Sequence, residues 1–187
     1  MNDDTVSRAA AFAAKAHSGT VRKGNGLPYI LHPMEDAVIV STMIDDQDVI
    51  AAALLHDTIE DTDVTYEDIE REFGVRVASL VAHETEDKRP GIPPEESWRI
   101  RKEESIEVLR AASRETKILW LGDKLSNMRS FAQLYDESGY EFLKLFHQKD
   151  PEQQGWYYKT ILDLLSELDA YPAYAEYKAL VRHVFGD

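Results

Sequence analysis

The stretch Leu54-Leu-His-Asp-Thr-Ile-Glu-Asp61 places four ionisable side chains directly after an apolar run. On a continuous helix, Asp57, Glu60 and Asp61 would share one face because they are spaced three and four residues apart. His56 would lie about 100° round from Asp57, so that both side chains could reach one metal ion. Charged groups at the end of a buried helix cost free energy unless a partner offsets their charge. Coordination of a metal ion would offset that cost.

The rest of the chain also has a helical pattern. Apolar residues recur at helical spacing almost everywhere, and there is no convincing alternation typical of strands. A length of 187 residues suits one domain with a substantial core. No repeat, low-complexity tract or linker divides the sequence. We therefore predict an all-α fold, formed as a single compact multi-helix domain over residues 1–187.

Capping and helix-breaking residues predict the boundaries of these helices. The expected N-terminal caps or first residues are Thr5, Pro33, Asp45 or Asp46, Thr65, Ser113, Asp150 and Pro172. The expected helices span about residues 5–17, 33–43, 65–73, 75–86, 95–112, 115–135, 151–168 and 172–185, and the helix that follows Asp45 or Asp46 is expected to end at the stretch 54–61. Thr65 and Asp68 resemble a capping box, and Gly74 is placed to end that helix. The proline-rich stretch 88–94 is the clearest loop.

Composition narrows the possible functions. A formal net charge of −14 disfavours a nucleic-acid partner, because such a surface repels phosphate backbones. The absence of cysteine excludes disulfides, thiolate metal sites and a cysteine nucleophile, so a metal site would use His, Asp or Glu. Apolar runs are too short to span a membrane, and Asn2-Asp3-Asp4 is not typical of a signal peptide. We therefore expect a cytoplasmic protein with no membrane partner.

Four segments carry a resemblance to a known family. They are His17-Ser-Gly-Thr-Val-Arg-Lys23, Pro28-Tyr-Ile-Leu-His-Pro33, Ala53-Leu-Leu-His-Asp-Thr-Ile-Glu-Asp61 and Leu121-Gly-Asp-Lys-Leu-Ser-Asn-Met-Arg129. In this order they resemble the HD superfamily of metal-dependent phosphohydrolases, and within it the hydrolase domain of RelA/SpoT-type stringent-response enzymes. The stand-alone small alarmone hydrolases are similar in length. Each motif alone is weak, whereas all four in order are specific, and they fall within residues 5–165.

The resemblance implies a metal centre and a pair of catalytic acids. The implied metal ligands are His32, His56, Asp57 and Asp123, and the implied catalytic residues are Glu60 and Asp61. Two histidines and two aspartates form a mixed nitrogen and oxygen shell that suits a divalent metal, with Mn²⁺ as the expected ion. The side chains of Glu60 and Asp61 would activate and orient the attacking water. Without the resemblance, a charged helix end would be the preferred interpretation of the His-Asp pair.

The resemblance also implies a nucleotide-binding surface. Arg22 would stack its guanidinium on a purine base, and Lys23 would lie close to metal and phosphate. The other implied substrate-binding residues are Asn127, Ser130, Trp156, Tyr157 and Lys159. An aromatic cluster at helical spacing is more often part of a core, so the last three have a structural alternative. Lys88 and Arg89 are further candidates for phosphate contact.

Two positions differ from the residues that are usual in the family this chain resembles. Thr20 stands where the long family members often have Gln, and Gly122 precedes Asp123 where Ala is usual. Glycine within a helix costs about 1 kcal/mol relative to alanine. Neither change affects an implied ligand, but both leave the substrate preference open.

These observations predict a manganese-dependent pyrophosphohydrolase that removes the 3′-pyrophosphate from ppGpp and pppGpp, giving GDP or GTP and pyrophosphate. The expected partner is a small-molecule nucleotide. One alternative keeps the chemistry but changes the nucleotide, to an adenosine alarmone or NADPH. Another is a non-catalytic nucleotide-binding HD module, and a third is a helical scaffold that docks a basic partner. The sequence carries no signal for an oligomeric state.

Overall fold

A computed structural model describes residues 4–187, so that Met1, Asn2 and Asp3 lie outside the described residues. The helices are α1 (Thr5–Ala16), α2 (Leu31–Ser41), α3 (Gln47–Leu55), α4 (Thr58–Asp61), α5 (Tyr66–Phe73), α6 (Val75–Ala82), α7 (Pro94–Arg110), α8 (Arg114–Ser138), α9 (Pro151–Leu164) and α10 (Pro172–Phe185). Gly139–Leu145 and Ser166–Leu168 form short 3₁₀ helices. An isolated antiparallel bridge joins Val21 and Pro28, and no strand occurs between residues 4 and 187. The predicted all-α fold is confirmed.

The helices form two compact units. The first unit comprises the chain up to Glu86 together with Ser113–Asp123, and the second comprises Asp87–Ala112 and Lys124–Asp187. Helix α8 contributes its first part to one unit and the remainder to the other. The expectation of a single domain over residues 1–187 stays a prediction.

Helix α3 is the centre of the first unit. Helices α1, α2 and α6 pack against it, and α5 packs on α6. Every residue of α3 from Ala51 to Leu55 is buried, since the helix is surrounded by its neighbours. His56, which follows its last residue, is therefore also buried, at 3% exposure. The apolar run thus places the ionisable stretch inside the unit.

Small side chains allow α1 to lie close to α3. The buried residues of α1 are Ala9 and Ala13, both with no exposed surface. We expect Ala13→Leu to lower the free energy of unfolding by about 1–3 kcal/mol, because the extra methylenes overpack this contact. Urea unfolding followed by circular dichroism measures the change. Ala14→Leu is the matched control on the exposed side of α1, and equal midpoints for the two variants would contradict the packing.

Two predicted helix starts were wrong by one or two residues. Asp4, rather than Thr5, caps α1, because its carboxylate accepts hydrogen bonds from the backbone N–H groups of Val6 and Ser7. Helix α2 begins at Leu31 instead of Pro33. Proline is tolerated there because the first N–H groups of a helix have no partner within the helix. His32 consequently lies inside the first turn of α2.

The stretch 54–61 does not form one helix, so the shared face expected for Asp57, Glu60 and Asp61 on a helix does not apply. Helix α3 ends at Leu55 and α4 begins at Thr58. The Thr58 hydroxyl donates to the Leu55 carbonyl at 2.7 Å, and His56 Nδ1 lies 2.8 Å from the Ala53 carbonyl. These side chains take carbonyl groups that a continuing helix would use, so the helix is interrupted at His56 and Asp57.

Most other local predictions are confirmed. Asp46 caps α3, and Thr65 and Asp68 form the predicted capping box. Gly74 ends α5 with φ +88°, a conformation that favours glycine. The predicted apolar stripe of α8 is buried: Ile118, Leu121, Leu125, Met128 and Ala132. Two helices end earlier than expected, α6 at Ala82 and α9 at Leu164.

The second unit is built around α9, which packs against α7 and α10. Aromatic rings fill part of its core, with the Phe131 ring centroid 5.0 Å from that of Phe142 and 5.4 Å from that of Tyr158. Such edge-to-face ring pairs add stabilisation beyond their buried area. Within residues 4–187, none of the helices combines the length and apolar character needed to cross a bilayer.

Candidate metal centre

The first unit brings the four predicted metal ligands together. His32 Nε2 lies 3.1 Å from Asp123 Oδ1 and 3.6 Å from Asp57 Oδ2. His56 Nε2 lies 2.9 Å from Asp57 Oδ2 and 3.8 Å from Asp123 Oδ1. The side chains come from the first turn of α2, the break between α3 and α4, and helix α8. Residues 91 positions apart in the chain are therefore neighbours in the fold.

The cluster fits a divalent cation. His32 and His56 are 3% exposed and Asp123 is 5% exposed. Although His56 Nε2 is close to Asp57, their geometry does not suit a hydrogen bond, and this buried nitrogen has no hydrogen-bond partner among residues 4–187. Ligand atoms that bind one ion at about 2 Å in adjacent positions lie roughly 3 Å apart, which matches the observed spacing. The residues present could therefore hold a metal, although their role as ligands stays a prediction.

The charges in the cluster stabilise one another. Burial opposes protonation of His56, but the carboxylates of Asp57, Asp36 and Asp123 outweigh it and raise the pKa of His56 well above its usual range. Burial would raise the pKa of Asp57, yet the charges of His56 and His32 hold that pKa below its usual range. Without a cation, a proton on His56 offsets the negative charge. A metal would take over that role.

Tyr29 links two of the predicted site residues and was not singled out by the sequence. Its hydroxyl donates to Asp57 Oδ2 at 2.5 Å, and it lies 3.4 Å from Asp61 Oδ2. Burial, together with Asp57, raises the pKa of Tyr29, so the hydroxyl stays a donor at any working pH. The buried ring of His17 packs on the other side, with its centroid 4.9 Å from that of Tyr29. The only sequence signal was the position of Tyr29 in the segment before His32.

Removal of the Tyr29 hydroxyl tests this link. We expect Tyr29→Phe to weaken Mn²⁺ binding about 10- to 100-fold, because a carboxylate ligand loses the donor that orients it. Isothermal titration with MnCl₂ measures the dissociation constant. Tyr66→Phe in α5 of the same unit is the control and should bind like the wild type. Equal affinities in the two variants would mean that Tyr29 does not orient Asp57.

The two predicted catalytic acids lie beside this cluster. Glu60 and Asp61 end the short helix α4. Glu60 Oε2 accepts a hydrogen bond from the backbone N–H of Glu86 at 3.1 Å, which fixes the side chain. Asp61 is exposed and shares the Tyr29 hydroxyl with Asp57. Their catalytic roles stay predictions.

Two further acidic residues near the cluster were missed by the sequence interpretation. Asp36 is completely buried, and its Oδ2 lies 3.2 Å from His56 Nδ1. Glu84 follows the early end of α6, and one of its oxygens lies within 4.8 Å of ligand atoms of His56 and Asp123. Burial raises the pKa of Asp36 well above its usual range, and Glu84 acts in the same direction. The sequence predicts that α6 extends to about residue 86, which places Glu84 within that helix, so its position near the cluster was not recognised.

The predicted basic pair lies in the loop that leads into α2. The Arg22 N–H donates to the Leu27 carbonyl at 2.8 Å, and the Gly26 N–H donates to the Arg22 carbonyl at 3.2 Å. The loop is therefore held by its own backbone hydrogen bonds. Arg22 is half-buried and Lys23 is exposed. Contact of either residue with a substrate stays a prediction.

The remaining predicted substrate-binding residues belong to the second unit, where Asn127 and Ser130 lie in later turns of α8. The Arg99 guanidinium lies over the Trp156 ring at 3.4 Å from the centroid. Tyr157 is 3% exposed and lies below Lys102, whose ammonium is 4.8 Å from the ring centroid.

Lys159 donates hydrogen bonds to the carbonyls of Phe185 and Asp187, both at 3.0 Å. It therefore binds the C-terminal end of α10. Arg89 forms an ion pair with Glu104 in the same unit, and Lys88 is exposed. The structure thus gives Lys159 and Arg89 protein partners, and their predicted contacts with substrate are not tested by it.

Comparison with known proteins identifies relatives along most of the chain. A family profile described as "HD domain" matches residues 9–146. The chain is 43% identical over 121 residues to guanosine-3′,5′-bis(diphosphate) 3′-pyrophosphohydrolase MESH1 of Danio rerio, a match that covers 63% of this chain and 64% of that protein. The MESH1 protein of Xenopus tropicalis is 39% identical, covering 71% and 72%. An Aquifex aeolicus enzyme of the same activity name is 38% identical, but only 18% of its length is covered.

Two solved structures are also similar to this chain. A structure described as "A metazoan ortholog of SpoT hydrolyzes ppGpp and plays a role in starvation responses" has a TM-score of 0.77 and 28% identity, and the match covers 97% of this chain and 96% of that one. The crystal structure of lmo0812 from Listeria monocytogenes has a TM-score of 0.72 and 33% identity, covering 88% and 99%. The helical architecture is therefore shared with these proteins.

Proposed function

Because the chain belongs to the HD domain family, we propose that it is a metal-dependent pyrophosphohydrolase acting on the 3′-pyrophosphate of ppGpp and pppGpp. One observation carries the proposal: His32, His56, Asp57 and Asp123 converge at separations of 2.9 to 3.8 Å. The HD-domain profile matches residues 9–146, a region that contains all four. The matched region spans 64% of the zebrafish protein, so the activity is inferred from the site and the family together.

We infer that the ion is Mn²⁺. Two imidazoles and two carboxylates form a borderline donor set, and the chain has no thiolate to favour a softer metal. A divalent cation held there would polarise a phosphoryl oxygen and lower the pKa of a water molecule. The Asp57 side chain is 18% exposed, which gives solvent access to this side of the site.

The acids beside the cluster have distinct roles in this proposal. Glu60, held by the Glu86 N–H, accepts the proton of the attacking water. Asp61 orients that water, and the Tyr29 hydroxyl, which contacts both carboxylates, holds Asp61 next to Asp57. The water oxygen forms a bond to the phosphorus attached at the ribose 3′ oxygen, and the bond between that phosphorus and O3′ breaks. O3′ takes up a proton, so that the products are GDP or GTP and pyrophosphate.

Basic and aromatic side chains would bind the nucleotide. Arg22 can stack on a purine because its guanidinium is planar, and Lys23 in the same loop can approach a phosphate as a point charge. The proposed second set of contacts comprises Asn127, Ser130, Trp156, Tyr157 and Lys159. Lys159 would have to leave the carbonyls of Phe185 and Asp187 to meet a ligand. It is therefore the weakest member of the set.

A nucleotide panel tests the proposal directly. Purified protein with Mn²⁺ should release pyrophosphate from ppGpp and pppGpp, and chelation by EDTA should stop the reaction. An adenosine alarmone and NADPH, assayed for pyrophosphate and phosphate respectively, test the alternative substrates that Thr20 and Gly122 leave open. Turnover of one of these in place of ppGpp would change the substrate, while no turnover of any would favour a non-catalytic nucleotide-binding module. A cytoplasmic location is part of the proposal.

A further inference from the structure

We propose that Asp36 is a positioning residue for His56, and that Gly122 is the residue that makes room for it. This inference rests on the proposed metal-binding function and adds two residues to it. Asp36 lies on α2 one turn after His32, and Gly122 lies on α8 directly before Asp123. Both therefore adjoin a predicted metal ligand without being one.

The two edges of the His56 ring face different groups. Nε2 lies 2.9 Å from Asp57 Oδ2 and faces the cluster. Nδ1 lies 2.8 Å from the Ala53 carbonyl and 3.2 Å from Asp36 Oδ2. A carbonyl and a carboxylate at Nδ1 keep the proton on that nitrogen, which leaves the Nε2 lone pair for a cation. A carboxylate behind a metal-binding imidazole also fixes the ring and raises its basicity.

Gly122 is needed for this arrangement. A Cβ atom on residue 122 would lie 2.1 Å from Asp36 Oδ1 and 2.8 Å from Val40 Cγ2. The first distance is far inside van der Waals contact, so alanine cannot occupy this position while Asp36 keeps its place. A glycine inside α8 costs about 1 kcal/mol of helix stability. The close approach of Asp36 accounts for the glycine at a position where the resembling enzymes usually have alanine.

Asp36 has no evident value for stability alone. It has no exposed surface, and neither carboxylate oxygen forms a hydrogen bond within the described part of the chain. An apolar side chain would fill such a buried position at lower cost. The contact with His56 is therefore what Asp36 contributes.

Manganese titration of Asp36 variants tests the proposal without using substrate turnover as the only readout. By isothermal titration at fixed pH, Asp36→Asn and Asp36→Ala should each bind Mn²⁺ about 10- to 100-fold more weakly than the wild type. At saturating Mn²⁺ their kcat should return to within a few-fold of the wild-type value, because the reacting groups are untouched. Asp45→Asn, an exposed carboxylate before α3, is the control and should bind like the wild type.

Gly122 supplies the second half of the test. Gly122→Ala alone should lower the thermal midpoint, since the added Cβ meets Asp36. The double variant Asp36→Ala/Gly122→Ala should recover part of that midpoint, because Val40 Cγ2 still lies 2.8 Å from the added Cβ, and it should keep the weak Mn²⁺ binding. Wild-type affinity in Asp36→Asn and Asp36→Ala overturns the proposal and leaves the proposed function intact, as does a midpoint loss from Gly122→Ala that is undiminished in the double variant. Absence of Mn²⁺ binding in the wild type overturns the proposed function as well.

Discussion

His56→Ala should remove Mn²⁺ binding and lower pyrophosphate release from ppGpp by at least about a thousand-fold. The expectation is large because this one ring contacts several members of the site. Its Nε2 faces Asp57 and Asp123, while its Nδ1 faces Asp36. Loss of the ring removes a ligand and leaves buried carboxylates without the group that offsets their charge. Elemental analysis after manganese loading and a pyrophosphate-release assay measure the two effects.

Two further variants separate this effect from unfolding. His56→Gln keeps a polar side chain of similar length, and its far-ultraviolet circular dichroism should match the wild type while metal and activity are still lost. His83→Ala removes an exposed histidine at the end of α6, where Nδ1 lies 2.6 Å from the Ser79 carbonyl. It should retain both properties. If His56→Ala keeps its metal and activity, His56 does not hold the metal, and a charged helix end becomes the better interpretation of the stretch.

Local chemistry explains which parts of the fold could be predicted from the sequence. The capping box of Thr65 and Asp68 and the cap at Asp46 involve residues two or three positions apart, so their signals lie in short segments. The buried stripe of α8 follows from helical periodicity alone. By contrast, the break after His56 arises because His56 and Thr58 side chains take backbone carbonyls. An apolar pattern carries no record of that competition.

The site also combines features that sequence motifs indicate with features that only the tertiary structure shows. The ligand set was predicted because four segments in order match a family, although His56 and Asp123 are far apart in the chain. Tyr29 and Asp36 were missed, since their partners Asp57 and His56 are 28 and 20 positions away in the chain. Tyr29 lies within a family motif, but the motif does not show which side chain it contacts. Gly122 was noted as a departure from the family, but its reason, the close approach of Asp36, exists only in three dimensions. Tertiary contacts therefore supplied what the sequence could not.

Glu60→Gln should lower kcat for ppGpp by about 100- to 10,000-fold and leave Mn²⁺ binding unchanged. Glutamine has nearly the same shape as glutamate and can still accept the hydrogen bond from the Glu86 N–H, so the end of α4 should keep its structure. It cannot accept a proton from water at neutral pH, because an amide oxygen is a very weak base. Steady-state kinetics at saturating Mn²⁺, with a parallel manganese titration, measure both quantities.

The informative result is a fall in kcat without a change in Mn²⁺ affinity. A general base acts only in the chemical step, so its loss lowers kcat and kcat/KM together and leaves metal affinity as it was. A metal ligand, in contrast, would raise the manganese dissociation constant. Glu67→Gln, in the exposed first turn of α5, is the control for the removal of one negative charge from this unit. A loss of manganese in Glu60→Gln would assign Glu60 to the metal shell, and unchanged kcat would transfer the role of base to Asp61, its neighbour at the end of α4.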